Sequence, residues 1–327
     1  MLRTDDFDFP LPPELIASRP LARRDDSRLM LVDRARGTVE HRAFRDFPQF
    51  LRADDLVVLN NVRVARARFF SADGRAEILR LQAVTPLHWQ CMVRPGKRFR
   101  EGHTIQIGDA TGTVTASLED GTRLILWDHA PDEKQHGHLP LPPYMHRDDD
   151  AEDNERYQTV YARADRSDAI AAPTAGLHFT PEILAGLPHS FITLHVGPGT
   201  FLPVKAELIA DHVMHSERYE IEPAAAEKIE SAARRIAVGT TVARVLEHCA
   251  LTHGRVTAHA GETSIFIHPG FQFRRVDALL TNFHLPKSTL FMLVCALGGP
   301  DLLKHAYAEA VRERYRFYSY GDCMMIV

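Results

Sequence analysis

Apolar residues follow two different rhythms along this chain. Leu56-Val57-Val58-Leu59 is a short continuous run that ends in Asn60-Asn61. It is too short for a helix and has no polar alternation. It reads as a strand buried on both faces, the mark of a parallel sheet. Leu29-Met30-Leu31-Val32-Asp33 reads as another strand, and residues 37–41 as a turn into a third. Residues 14–18 and 44–52 have helical spacing. Between 66 and 142 the rhythm changes. Residues 77–84, 89–93, 104–107, 112–118 and 122–127 are short, alternating and separated by glycine turns. No helical pattern interrupts them, which predicts a small antiparallel barrel.

From residue 157 onward strands alternate with helices. The pattern predicts strands at 169–172, 191–196, 235–238, 264–267 and 276–280. It predicts helices at 181–186, 223–234, 242–252, 289–297 and 302–313. Such alternation indicates an α/β fold with a largely parallel sheet. The expected architecture is a discontinuous α/β catalytic domain, residues 1–65 and 143–327, with an antiparallel β-barrel domain inserted at 66–142. Residues 139–144 are a proline-stiffened return, and the acidic run 148–153 reads as a solvated loop.

Length and charge narrow the picture. A chain of 327 residues suits about two domains at roughly 100–200 residues each. Its formal net charge of −4 gives no bulk attraction for a polyanion. A nucleic-acid partner must then be met by a local patch. The densest is Arg94-Pro95-Gly96-Lys97-Arg98-Phe99-Arg100, a solvated loop or a set of nucleic-acid phosphate contacts through Arg94, Lys97, Arg98 and Arg100. Cys91, Cys249, Cys295 and Cys323 form no CxxC pair, so neither a zinc knuckle nor a disulfide framework is indicated. The amino-terminal residues are acidic and lack an apolar core of signal-peptide type, and the longest apolar run is too short to span a bilayer. A cytoplasmic location and no membrane partner are expected.

Ligands of parallel α/β sheets bind beyond the carboxyl ends of the strands. Five predicted strand ends carry small residues with Asn, His or Thr. They are Asn60-Asn61-Val62-Arg63, Thr174-Ala175-Gly176-Leu177-His178, His195-Val196-Gly197-Pro198-Gly199-Thr200, Gly239-Thr240-Thr241 and Thr281-Asn282-Phe283-His284. Thr and Asn in such turns cap helices or bind ligands, but imidazoles and amides are not needed for turns alone, and the convergence of five such ends points to a site. Gly197-Pro198-Gly199-Thr200 lacks the third glycine of a dinucleotide fingerprint and the Lys-Ser/Thr ending of a P-loop. Asp211-His212-Val213-Met214-His215-Ser216-Glu217 has histidines three apart rather than the four of a hydrolytic zinc helix. Asp211, His215 and Glu217 there offer substrate contact, a general base or plain structure, and no metal is expected.

Ten segments in order resemble the motif series of the S-adenosylmethionine:tRNA ribosyltransferase-isomerases of queuosine synthesis. They are residues 60–64, 93–98, 139–144, 155–161, 171–180, 193–201, 211–217, 237–241, 281–289 and 315–322. Two sites depart from the pattern. Pro198 stands where alanine is expected, and Val242-Ala243 precedes Arg244 where Ser-Val is expected. The resemblance implies transfer of the ribosyl unit of S-adenosylmethionine to 7-aminomethyl-7-deazaguanine at the tRNA wobble position. It also implies isomerisation to epoxyqueuosine, and a barrel inserted in an α/β domain. It implies tRNA as partner and S-adenosylmethionine as co-substrate, without further cofactor; a monomer is expected.

That chemistry needs proton transfer near neutrality, which suits imidazoles. His178, His195 and His215 are candidate acids or bases, and Asp322 a candidate partner for an amine or ribosyl hydroxyl. Arg63 or Arg244 would pair with the methionine carboxylate. Asn60, Thr174, Gly176, Gly197, Gly199, Thr200, Asp211, Glu217, Thr240, Thr241, Asn282 and His284 complete the expected substrate site.

Overall fold

The computed structural model describes residues 2–197, 204 and 206–327. Its first strands are β1 (Arg28–Asp33), β2 (Thr38–Ala43) and β3 (Asp55–Asn60). There follow β4 (Arg68–Phe70), β5 (Glu77–Thr85), β6 (His88–Arg94), β7 (Thr104–Ile107), β8 (Ala110–Ser117) and β9 (Arg123–Trp127). The last six are β10 (His189–Leu194), β11 (Glu217–Ile221), β12 (Arg234–Val238), β13 (His259–Thr263), β14 (Ala278–Asn282) and β15 (Cys323–Ile326). Residues 1–63, 143–147 and 155–327 form one compact unit, and 64–142 with 148–154 another.

In the first unit nine strands run in the order β13-β11-β10-β3-β12-β14-β15-β1-β2. β10, β3, β12 and β14 are mutually parallel. Antiparallel pairs flank them on both sides, at β11 and β13 and again at β15 and β2. The α/β fold therefore holds, with parallel pairing concentrated in the centre. Every residue of β3 is buried, because a central parallel strand is covered on both faces. Its side chains alternate between layers. Leu56 and Val58 enter a core shared with helices Pro223–Ser231, Thr240–His253, Thr289–Gly298 and Pro300–Arg312. Val57 and Leu59 face Phe44, Phe47 and Phe179 on the other side. Each such aliphatic side chain contributes ~1.5–3 kcal/mol by leaving water.

In the second unit six antiparallel strands run in the order β4-β5-β6-β9-β8-β7. Phe69, Ile78, Trp89, Phe99, Val114, Ile125 and Trp127 fill their interior. Ala72 N–H donates to Gln106 O at 2.9 Å, which joins the two edges of the sheet into a nearly closed barrel.

Several elements differ from expectation. Residues 169–172 form no strand; the segment makes only single backbone bonds, Ala169 to Arg63 and Ile170 to Val196, and Pro173 ends it. The strand expected at 264–267 lies earlier, at His259–Thr263. The acidic run is not merely solvated. Asp149 accepts from His138 Nδ1 at 2.8 Å and from Leu139 N–H at 3.0 Å, and Asp153 is fully buried. All four cysteines are buried free thiols. Among the described residues no helix is long and apolar enough to cross a membrane.

Candidate active site

Beyond the carboxyl ends of β10, β12 and β14 lies a cleft, the usual place for a ligand of a parallel α/β sheet. Thr174, Thr240, Thr241, Asn282 and His284 line it, together with Tyr144, Tyr318 and Ser319. Three of the five strand-end turns thus meet at one place, joined by Val196 from a fourth, while no residue of the Asn60–Arg63 turn lines it.

One wall is the amino end of helix Thr240–His253. Gly239 precedes it at φ 90, a conformation that costs L residues about 1–2 kcal/mol. Its N–H donates to Leu280 O at 2.8 Å, and the first intrahelical bond runs from Ala243 N–H to Gly239 O. The N–H groups of Thr240, Thr241 and Val242 precede that bond and lack intrahelical acceptors. Gly239 supplies no side-chain cap, so this end favours an anion. Thr241 Oγ1 is sealed from solvent and has no partner among the described residues.

The imidazoles differ sharply. His284 lines the cleft, and its Nε2 shares a 2.8 Å hydrogen bond with Thr281 Oγ1. Its backbone N–H donates to Tyr307 OH at 3.0 Å. Burial pushes its pKa down to about 3, so it is neutral at pH 7. His178 is also buried, with a pKa lowered to about 4, chiefly by desolvation. Asn282 Nδ2 donates to Tyr318 O at 2.8 Å, so Asn282 Oδ1 must accept from His178 Nε2–H at 3.1 Å. That fixes the tautomer and leaves His178 Nδ1 to accept from Ser27 Oγ at 2.9 Å. Both ring nitrogens are spent on the protein. His195 is half-buried and does not line the cleft, whereas Val196 beside it does. Its Nδ1 is sealed without a partner among the described residues, and burial followed by Arg218 lowers its pKa. His215 is exposed, and residues 212–216 are extended rather than helical.

The other candidates separate in the same way. Asp322 accepts from Arg28 N–H and Arg316 N–H, both at 2.8 Å, and so ties β1 to the 316–322 turn. Burial raises its pKa. Asn60 bridges β3 to β10 through Leu194 O at 2.9 Å and Leu194 N–H at 3.0 Å. Arg244 is buried against Glu217, with Nη1 2.5 Å from Oε2, and Glu217 Oε1 accepts from Gly197 N–H at 3.0 Å. Arg63 and Asp211 are exposed and away from the cleft lining. Gly176 is a close approach, because a Cβ there would fall 2.0 Å from Tyr161 OH. Gly199 and Thr200 lie outside the described residues. On the barrel unit Arg94, Lys97 and Arg100 are exposed, while Arg98 pairs with Asp73 at 2.5 Å. Among the described residues no three His, Cys, Asp or Glu side chains gather as a metal-binding group.

A family profile described as queuosine biosynthesis protein matches residues 4–326. The chain belongs to that family. It is 48% identical over 346 residues to the S-adenosylmethionine:tRNA ribosyltransferase-isomerase of Geobacter metallireducens, covering 99% of this chain and 100% of that one. It is also 48% identical over 345 residues to the enzyme of the same name from Symbiobacterium thermophilum, covering all of both chains. The crystal structure of S-adenosylmethionine tRNA ribosyltransferase from Thermotoga maritima is similar to it, with 35% identity and a TM-score of 0.57. That match covers 98% of this chain and 100% of that one.

Two cleft residues outside the expected site set are aromatic, although they lie in the motif segments 139–144 and 315–322. Tyr144 stacks on Tyr318 with ring centroids 4.2 Å apart and planes within 20°. Its hydroxyl shares a 2.5 Å hydrogen bond with Ser319 Oγ. Tyr318 is held at φ 72, a conformation uncommon for a non-glycine residue and found most often where function demands it. The signal lay in the sequence, since Tyr144 ends the proline-rich return and Tyr318 opens the Tyr318-Ser319-Tyr320-Gly321 turn.

Proposed function

We propose that the protein transfers and isomerises the ribosyl unit of S-adenosylmethionine onto 7-aminomethyl-7-deazaguanine at the tRNA wobble position. The products are epoxyqueuosine-tRNA, adenine and methionine. The observation that carries this reading is a match to one family over residues 4–326, in a chain where the turns at 174, 239–241 and 281–284 line one cleft.

The sulfonium acidifies the neighbouring C5′–H. That proton passes to a base, and adenine departs with a proton on nitrogen. The ribose ring C–O bond opens, the substrate amine forms the new C–N bond, a carbon–carbon bond closes the cyclopentane ring, and the freed oxygen closes the epoxide as methionine leaves as a neutral thioether. The positive charge of the sulfonium therefore leaves as one net proton. His284 is the imidazole lining the cleft, and being neutral it can accept a proton there, though burial makes it a weaker base than a free imidazole. The amides at the start of helix Thr240–His253, with Thr241 Oγ1, offer a seat for the methionine carboxylate. This replaces Arg63, which is exposed, and Arg244, whose charge Glu217 already meets. The Tyr144–Tyr318 pair presents an aromatic face to a flat base. His178 and Asp322 act through others: His178 orients Asn282, and Asp322 holds the 316–322 turn.

The direct test incubates the protein with S-adenosylmethionine and tRNA carrying the deazaguanine base. Nucleoside mass spectrometry should show epoxyqueuosine, with adenine released in equal amount. Methyl transfer without adenine release would overturn the reading.

A further inference from the structure

A second, smaller and partly open cavity adjoins the cleft. Ser319 lines both. His178 lines the smaller cavity and bonds Asn282, which lines the larger, so this pair forms part of the partition. Arg23, Arg24 and Arg156 line the smaller cavity, and among the described residues no Asp or Glu does. In a chain of net charge −4 that is a local reversal of sign.

The guanidiniums are not equivalent. Arg23 is neutralised by Asp25 through contacts of 3.1 and 3.0 Å. Arg24 donates to Leu177 O at 3.2 Å and to Glu155 O at 2.9 Å, and the Glu155 carboxylate offsets its burial only in part. Burial first and Arg156 second push its pKa down, so its positive charge is held in an unfavourable setting. Arg316 stands close enough to act on His178, as does Arg24, and its Nη1 is sealed without a partner among the described residues. A half-buried cation facing carbonyls and another cation is a setting that an anion relieves.

We infer that this cavity binds a backbone phosphate of the tRNA, held by Arg24 together with Arg156, and so positions the nucleotide whose base enters the adjoining cleft. The inference rests on the reading of function given above. A planar guanidinium matches the oxygens of a phosphodiester, and Ser27 and Ser319 add hydroxyls to the same lining. Phosphate contacts set register without reading sequence. A phosphate beside the cleft would do this for the one nucleotide that reacts.

The test uses the full-length protein and an anticodon stem-loop carrying the deazaguanine base. Arg24→Gln should raise KM for the RNA about tenfold, with KM for S-adenosylmethionine near wild type. The slope of log(kcat/KM) for RNA against log salt should fall by about 0.7, one single-strand phosphate contact. Arg24→Lys keeps the charge and should restore that slope. A second stem-loop carries neutral methylphosphonates at the linkages flanking the wobble nucleotide. It should react poorly with wild type but show no further loss with Arg24→Gln. Losses that multiply, or an unchanged salt slope in Arg24→Gln, overturn the inference. So does a rise in KM for S-adenosylmethionine in both Arg24 variants, which would mark a loosened 174–178 turn. If wild type converts neither stem-loop nor tRNA, the functional reading itself fails, and this inference with it.

Discussion

Two groups of polar residues stand at the carboxyl end of the same sheet, and they differ in one respect. Asn60, His178, Asn282 and Asp322 spend their hydrogen-bonding atoms on the protein. Among the described residues, the first amides of helix Thr240–His253, Thr241 Oγ1 and Nδ1 of the cleft-lining His284 do not, although His284 Nε2 bonds Thr281. Residue type does not separate the groups, since each contains a buried histidine of lowered pKa. What separates them is whether the partner is already in place. A satisfied polar residue fixes geometry, whereas an unsatisfied one awaits a ligand, because a buried polar atom without a partner is costly to keep. Changes in the first group should therefore register in stability, and changes in the second in turnover or affinity.

The largest contrast should come from the two histidines. His284→Gln keeps polar bulk but removes the cleft imidazole. Its kcat should fall by about a thousandfold, within the range for a lost proton-transfer group, with a thermal midpoint close to wild type. Near-normal turnover in a folded His284→Gln protein would remove His284 from the chemistry and collapse the contrast.

His178 should respond in stability, with a definite sign. Its pKa is depressed from 6.5 to about 4 in the folded protein. Between those values the unfolded chain binds a proton that the folded chain does not, so stability falls as pH falls. The contribution is intact above pH 6.5 and is lost as pH drops through about 4, amounting to about 3 kcal/mol. Urea titrations at pH 7 and pH 4.5 should show wild type losing more stability on acidification than His178→Asn. An equal loss in both would mean that His178 is not held neutral by the fold. His284 titrates in the same window, so part of the slope persists in the variant.

The sequence carried the fold where burial writes a pattern. The uninterrupted run at 56–59 marked the central strand, and the glycine-spaced alternation after residue 66 marked the barrel. Strands β11 and β13 escaped because their patterns are polar. Glu217 opens β11 at a buried position, tolerable only because Arg244 neutralises it from another helix, and β13 is an edge strand with one buried residue. β15 is apolar throughout, but it follows the 315–322 turn rather than a helix, so a helix-alternation reading passes it by. For the site, strand ends were legible because their glycines, threonines and histidines are unusual together. Which of those groups are open was not legible. His178 is satisfied by Ser27, 151 positions away, and by Asn282, 104 positions away, and local sequence holds no trace of either contact.

The smallest effect is also the most discriminating, because two readouts should move in opposite directions. Thr241 Oγ1 is sealed without a partner among the described residues, which costs the protein alone roughly 1 kcal/mol or more. Thr241→Val keeps the branched shape and removes the orphaned oxygen. Unfolding in urea should show a variant as stable as wild type or more stable by ~1 kcal/mol, since the unsatisfied group is gone. Calorimetric titration with S-adenosylmethionine should show affinity weakened by about fivefold, the equivalent of ~1 kcal/mol. A hydroxyl serving only the fold would give the reverse pair, lower stability with unchanged affinity. That result would move Thr241 into the satisfied group and leave the helix amides alone as the seat of the carboxylate.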